Sequence, residues 1–274
     1  MTTPDAPLVN GDAPDTAPAS RHHVRAVERA FRVIKAFDAD HPRLTLSDVA
    51  RATGLDRATA RRLLLTLEDL GYVRAGRREF ELTAKLLELG FAYLSGLSLV
   101  DVVQPHLSEL ARDLNETASL TVLDGDDVVY LGIATGRRLA TVKITVGTRF
   151  SAYATSMGRI LLAGLSADEF ADYLGRLRLE AHTPHSVRTV EDLRTAIDLA
   201  RERGWALVDQ ELDDGLRGLA VPVHDRSGAV VAALNVSVQM TGATTEQLTE
   251  KYVPRLRQAA AAAEADLSGR PQRR

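Results

Sequence analysis

Seven side chains in the first third of the chain could work together, and the chemistry open to them is recognition of a phosphate-bearing duplex. Arg57, Thr59, Arg61 and Arg62 cluster in one short stretch, and Arg77 and Arg78 follow beside a glycine. Guanidinium groups pair with phosphate oxygens and with the acceptor edge of guanine, and hydroxyls reach either target. Arg57, Thr59 and Arg61 are the base-reading candidates, and Arg62 is a phosphate anchor. Arg77 and Arg78 suit phosphates or a minor groove. Thr45 completes the DNA-binding set.

Raw material for catalysis is thin. His182 and His185 have metal-like spacing, but they lie in a proline-containing loop with no acidic partner at motif distance. Ser156, within TSMG, lacks the first glycine of a nucleophile elbow. The run Asp124-Gly125-Asp126-Asp127 is hairpin chemistry, without the length or terminal glutamate of a calcium loop. There is no phosphate-cradling glycine loop. Cysteine is absent, which excludes a disulfide framework and a cysteine-ligated zinc site. No catalytic residue, metal or cofactor is expected.

The recognition set needs two helices and a hairpin to hold it. Thr45 and Asp48 have capping-box spacing, with Asp in place of the usual Glu or Gln, and start a helix through Ala52. Gly54 supplies the left-handed turn. Asp56 can cap a second helix, with Ala60, Leu63, Leu64 and Leu67 as its buried stripe. The arginines then fall on or near the opposite face. After Gly71, Tyr72-Val73 and Phe80-Glu81-Leu82 predict two short strands around a glycine turn with arginines at its tip. The ordered series of helix, turn, arginine-bearing helix and basic hairpin is a winged helix-turn-helix.

Charge supports that division of labour. The net charge is −3, yet residues 21–85 hold 14 Lys and Arg against 9 Asp and Glu. Residues 1–20 carry three Asp and no base, which leaves −5 on the rest. One basic module on an acidic body is the asymmetry expected when a single domain meets phosphate. No run reaches membrane-span length and no signal pattern opens the chain, so a cytoplasmic protein without membrane contact is expected.

Residues 1–20, rich in Pro, Ala, Asp and Thr, are expected to be a disordered tail. Residues 21–83 form the DNA-binding domain, beginning with a helix that buries Val27, Ala30, Phe31, Ile34 and Phe37 and stops before His41-Pro42. Residues 84–100 are a linker helix capped by Thr83, whose Leu86, Leu87, Leu89, Phe91 and Leu94 suggest a contact with another surface. Residues 101–270 form the second domain. A helix from Ser98 to about Asn115 leads into a hairpin turning at Asp124-Gly125. LATVKITVG is a third strand, and SMGRILLAGL a helix that Ser156 caps. VEDLRTAIDLARERG is helical, three strands follow (WALVDQEL, LRGLAVPVHD, AVVAALNVSVQM), and a long helix closes the chain. The fold class is α+β, an antiparallel sheet covered by helices.

The winged module, with SMGRILLA and DQELDDGLRGLAVPVHDRSGAVVAALNVSV, resembles the IclR family of bacterial transcription regulators over nearly all of the chain after the tail. VGTRFSAYATSMGRILLA and DGLRGLAVPV are similar to the branch regulating the β-ketoadipate pathway, the protocatechuate and 4-hydroxybenzoate regulators. The resemblance implies a GAF-like α/β effector-binding domain, a homodimer or homotetramer on a double-stranded DNA operator, and a small aromatic or dicarboxylic acid effector. Carried over by motif position, the effector residues are Ser156, Met157, Asp209, Glu211, Leu216, Arg217, Gly218, Asn235 and Ser237. Gly218 departs from the family pattern, which often has Ser or Cys there.

An anion would suit this site. Ser156 opens a helix whose free N–H groups favour negative charge. Arg217 lies between apolar residues and needs an anion, supplied either by a ligand or by Glu211 or Asp213; Arg138 and Arg149 are reserves. Three functions compete: a transcription regulator controlled by a carboxylate, for this or another carbon-source pathway; an enzyme attached to a DNA-binding domain; and an architectural protein whose second domain only oligomerises.

Overall fold

Local chemistry sets the frame of the N-terminal half. The computed structural model describes residues 23–90, 98–136, 144–240 and 243–269. In it the Thr45 and Asp48 side chains close a reciprocal capping box on α2 (Leu46–Thr53), and Gly54 ends that helix at φ 66°. Asp56 accepts from the Thr59 amide at 2.8 Å and opens α3 (Arg57–Asp69). Ala60, Leu64 and Leu67 are buried on α3 against Val49 of α2, with Leu63 only half-buried.

The first helix differs from expectation. α1 (Arg25–Lys35) buries Val33, and Phe37 follows into the core, but Val27 and Phe31 are 54% and 51% exposed. The helix is rotated so that Val33, Ile34, Ala36 and Phe37 meet α2 and α3. Val24, Val27 and Phe31 make a second apolar stripe that no described residue of this unit covers, and periodicity alone does not say which stripe turns inward.

The hairpin forms as β2 (Val73–Ala75) and β3 (Glu79–Leu82), with Arg77 and Arg78 in the turn. A third strand, β1 (Arg43–Thr45), adds to it in the order β1-β3-β2. Three residues after Pro42, the last of them a helix cap, are too few to show a period, so β1 is not legible in the sequence. Thr83 then caps a short 3-10 turn, Ala84–Leu86. Leu87 and Leu89 are exposed, and Phe91 and Leu94 lie outside the described residues.

The chain separates into two units, Met1–Tyr93 and Leu94–Arg274. The second is built on one antiparallel sheet in the order β6-β5-β4-β9-β8-β7. Its strands are β4 (Thr117–Asp124), β5 (Asp127–Ala134), β6 (Arg149–Ser151), β7 (Ala206–Asp209), β8 (Leu216–His224) and β9 (Val230–Gln239). Alternation sends Ala118, Leu120, Leu219, Val221, Leu234 and Val236 to one face, under α4 (Ser98–Leu114) and the last helix, α8 (Val253–Gly269). The other face meets α5 (Ser156–Ala163), α6 (Ala167–Arg176) and α7 (Val190–Arg203).

Three expectations change here. The third strand is Arg149–Ser151; of LATVKITVG, residues 139–143 lie outside the described residues and 144–147 are not strand, with Gly147 turning at φ 90°. Thr155, not Ser156, caps α5, its hydroxyl accepting from the Gly158 amide at 3.0 Å. The closing helix is preceded by a π turn at Leu248–Tyr252, which ends two positions before Pro254, a residue with no N–H for the carbonyl four residues back.

Candidate nucleic-acid interface and effector site

The N-terminal unit sorts its arginines into two kinds. Arg32 pairs with Glu28 and Arg51 with Asp48, while Arg43 and Arg74 flank Glu81 across the small sheet. Those two guanidinium groups, Arg74 first, hold the Glu81 carboxyl below its ordinary range. Arg57, Arg61 and Arg62 on α3 and Arg77 and Arg78 in the hairpin turn are exposed, and none of their guanidinium groups has a hydrogen bond or ion pair among the described residues. Exposed positive charge without an internal counter-ion is what a polyanion can neutralise. Thr59 is half-buried beside the cap of α3. The Thr45 hydroxyl is committed to Asp48, donating at 2.6 Å while accepting from its amide.

In the second unit the motif SMGR can be read residue by residue. Ser156 is the first residue of α5 and Met157 enters the core. Gly158 lies so close to the preceding turn that a Cβ would sit 2.0 Å from the Ala152 carbonyl oxygen. Arg159 turns inward and pairs with Glu211 at 2.6 Å, both side chains nearly buried at 5% and 11% exposure. Glu211 also accepts from the Val187 amide, and its carbonyl oxygen accepts from Ser186 at 2.6 Å. One ion pair therefore joins α5, the loop around 183–187 and the loop entering β8.

Above the sheet sits a buried polar group. Asn235 donates to Ser156 Oγ at 3.0 Å and to the Leu219 carbonyl at 3.3 Å, and accepts from Ser119 and Ser237, each at 3.2 Å. Gly218 faces them across β8 and β9, with Ser237 as its register partner. The Thr121 hydroxyl, two residues beyond Ser119, is buried and has no partner among the described residues. Its register partner Tyr130 has a phenol that burial pushes upward in pKa.

The structure divides the expected effector residues. Ser156, Met157, Gly218, Asn235 and Ser237 gather on the α5 face, and Leu216 shares the parity of Gly218. Arg217 and Asp209 are register partners on the opposite face, paired at 2.8 Å, with Arg217 also donating to the Ala243 carbonyl at 2.9 Å. Arg217 thus finds its anion internally, in Asp209 rather than in Glu211 or Asp213. Beside it lies a shallow cavity of about 370 Å³, bounded by Met240 and residues 243–247. Of the reserves, Arg149 is held by Asp124 and Asp127 at the hairpin, and Arg138 lies outside the described residues. His182 hydrogen-bonds to the Tyr153 phenol.

Comparison with known proteins decides the family. Residues 26–76 match the IclR helix-turn-helix domain, and residues 91–265 match the C-terminal domain of bacterial IclR transcriptional regulators. The chain belongs to the IclR family of bacterial transcriptional regulators. It is 42% identical to the Pca regulon regulatory protein of Pseudomonas putida, over 84% of this chain and 79% of that one. A putative transcriptional regulator from Rhodococcus sp. RHA1 superposes with a TM-score of 0.80 at 47% identity, covering 90% of this chain and 99% of the other. An IclR homologue of Microbacterium hydrocarbonoxydans, crystallised with 4-hydroxybenzoate, has a TM-score of 0.80 at 27% identity, covering 89% and 100%.

As an IclR-family regulator the chain is a DNA-binding transcription factor, and its family is one of regulators rather than enzymes. Among its described residues, no helix is long and apolar enough to cross a membrane. Sequence reasoning passed over Arg159, although an arginine within SMGRILLA, between apolar residues, signals a buried charge in need of a partner. It also passed over Ser119, which only its register opposite Asn235 reveals.

The Asp209–Arg217 pair yields a test in acid. Arg217 chiefly holds the Asp209 carboxyl below its ordinary value. The pair therefore stabilises the fold above the unfolded carboxyl pKa of about 3.9, and that contribution disappears as pH falls through the lower folded value. Asp209→Asn should cost up to about 1 kcal/mol at pH 7, since Asp209 is part-exposed. Its loss relative to the parent should shrink below pH 4 in urea unfolding. A pH-independent difference would contradict the assignment.

Proposed function

We propose that this regulator controls aromatic-acid catabolism, in the protocatechuate and β-ketoadipate pathway, and responds to a small aromatic or dicarboxylic acid bound in its second unit. In this reading residues 21–83 bind the operator, 84–100 link, and 101–270 bind effector and oligomerise. The carrying observation is the set of exposed arginines on α3 and the hairpin that the unit leaves without counter-ions. Arg57, Thr59 and Arg61 read bases, Arg62, Arg77 and Arg78 hold phosphates, and Thr45 acts by fixing the start of α2. The pathway is supported by the Pca regulon relative and by the homologue holding 4-hydroxybenzoate. The uncovered Val24, Val27 and Phe31 stripe on α1 supports a homodimer, or a tetramer built from it. An operator-binding protein works beside the chromosome, in the cytoplasm.

The effector group is Ser156, Met157, Leu216, Gly218, Asn235 and Ser237, with Glu211 supporting it through Arg159. Asp209 and Arg217 brace the opposite face of the sheet. An effector acts by preferring one conformation of the second unit, and it need do no chemistry.

Thermal unfolding with protocatechuate, 4-hydroxybenzoate, β-ketoadipate and unrelated acids tests the reading. A ligand at one hundred times its Kd adds about 2.7 kcal/mol to the native state. For a protein of this size that raises Tm by about 5–10 °C. Stabilisation by one of the first three, without its consumption, is the expected result. Response only to an acid of another catabolic route would move the protein to a different carbon-source pathway, and turnover would make it an enzyme.

A further inference from the structure

Asn235 is fully buried and has no hydrogen-bonding capacity left. A primary amide offers two N–H donors and one oxygen with two lone pairs. Both hydrogens are used, on Ser156 Oγ and the Leu219 carbonyl, and both lone pairs are filled, by Ser119 and Ser237. The orientation of the amide is not interchangeable, because a backbone carbonyl can only accept and so requires the nitrogen beside Leu219. An effector reaching this group would find nothing on Asn235 to bind.

The consequence falls on the three serines. Ser119 and Ser237 spend their hydrogens on Asn235 and present only lone pairs elsewhere. Ser156 does the reverse: its oxygen accepts from Asn235, so its own hydrogen must point away, and among the described residues no acceptor is paired with it. Ser156 is 1% exposed and is the first residue of α5, where the leading N–H groups have no partner within the helix. Gly218 protects the arrangement. A Cβ there would lie 2.8 Å from Ser156 Oγ and 3.6 Å from Asn235 Nδ2, displacing the serine from the amide.

We infer that Asn235 is a positioning residue, not an effector contact: it fixes the Ser156 hydroxyl as a donor, so the site selects an effector through an oxygen that accepts, as a carboxylate does. This rests on the proposed effector site. It deepens that proposal by assigning the donor and by giving Gly218 a role, since a side chain there would press on the donor.

A double-mutant cycle read by calorimetric titration of the full-length protein with 4-hydroxybenzoate, and with protocatechuate in parallel, tests it. Ser156→Ala removes the donor and should weaken binding about tenfold or more. Asn235→Ala should weaken it comparably, by releasing the hydroxyl. If Asn235 serves the effector through the Ser156 hydroxyl rather than through Ser119 or Ser237, the double variant should bind no more weakly than Ser156→Ala alone. Should Asn235→Ala fold poorly, Asn235→Ser keeps a small polar group there and enters the same cycle. A merely structural role would lower the Tm of the free protein and leave the two losses additive. Additive losses overturn the inference, as does Ser156→Ala binding like the parent; in either case the effector reading survives. If the parent binds neither of these acids nor β-ketoadipate, titrated in the same way, the functional reading falls, and the inference with it.

Discussion

Arg159→Met should cost the second unit about 3–5 kcal/mol, the largest loss expected from any single substitution in this protein. Arg159 and Glu211 are both withdrawn from water, and their 2.6 Å contact is the means by which each tolerates burial. Removing the arginine strands a carboxylate that also holds the Val187 amide, and breaking a buried pair from one side typically costs that much. In a unit of this size the Tm should fall by about 6–20 °C. The paired replacement Arg159→Met/Glu211→Leu should recover much of the loss, because two apolar groups of similar volume leave no unpaired charge. A loss below about 1 kcal/mol for Arg159→Met, or no recovery in the double variant, would show that water reaches the pair.

The same pair shows which features a sequence can disclose. Thr45, Asp48, Gly54 and Asp56 act within four residues of themselves, through caps and a left-handed turn, and the helix-turn-helix was legible because its determinants are local. Arg159 and Glu211 are 52 positions apart, and nothing in either neighbourhood names the other. Ser119 and Asn235, 116 apart, meet only because β4 and β9 are adjacent in the sheet. Motif position placed Arg217 and Gly218 in one pocket. Strand alternation, available from sequence, puts consecutive residues on opposite faces, and the structure follows the alternation. α1 failed for a different reason: it carries two apolar stripes, and periodicity cannot say which of them its own unit covers.

Both units separate groups that are satisfied internally from groups that are not. Arg217, Arg149 and Arg159 each have a carboxylate, so none of them is a ready counter-ion for an incoming acid. In the proposed effector site, recognition of a carboxylate by the described residues would then fall to neutral donors, a hydroxyl and helix-terminal amides, which hold an anion without a buried charge of their own. A site of that kind loses little stability when empty. That suits a sensor, whose free and bound states must lie within a few kcal/mol of one another.

In the DNA-binding unit the same separation predicts which arginines matter. Arg61→Ala should weaken operator binding by about 1–3 kcal/mol, roughly 5- to 150-fold, and relax preference at one base position. Arg77→Ala should weaken specific and random duplex alike, and lower the slope of log affinity against log salt by about 0.9. Arg74 is the informative control. It lies on the same hairpin but already pairs with Glu81, which also holds Arg43, so its positive charge is partly compensated before DNA arrives. Arg74→Ala should therefore change the salt slope less than Arg77→Ala, although the two residues are three positions apart. Fluorescence anisotropy on operator and scrambled duplexes between 50 and 200 mM salt, roughly the range over which phosphate contacts are most visible, separates these cases. Equal losses on both duplexes for Arg61→Ala would remove it from base reading. Equal slopes for Arg74→Ala and Arg77→Ala would mean that Glu81 releases its arginine when DNA binds, and that internal pairing does not select the phosphate contacts.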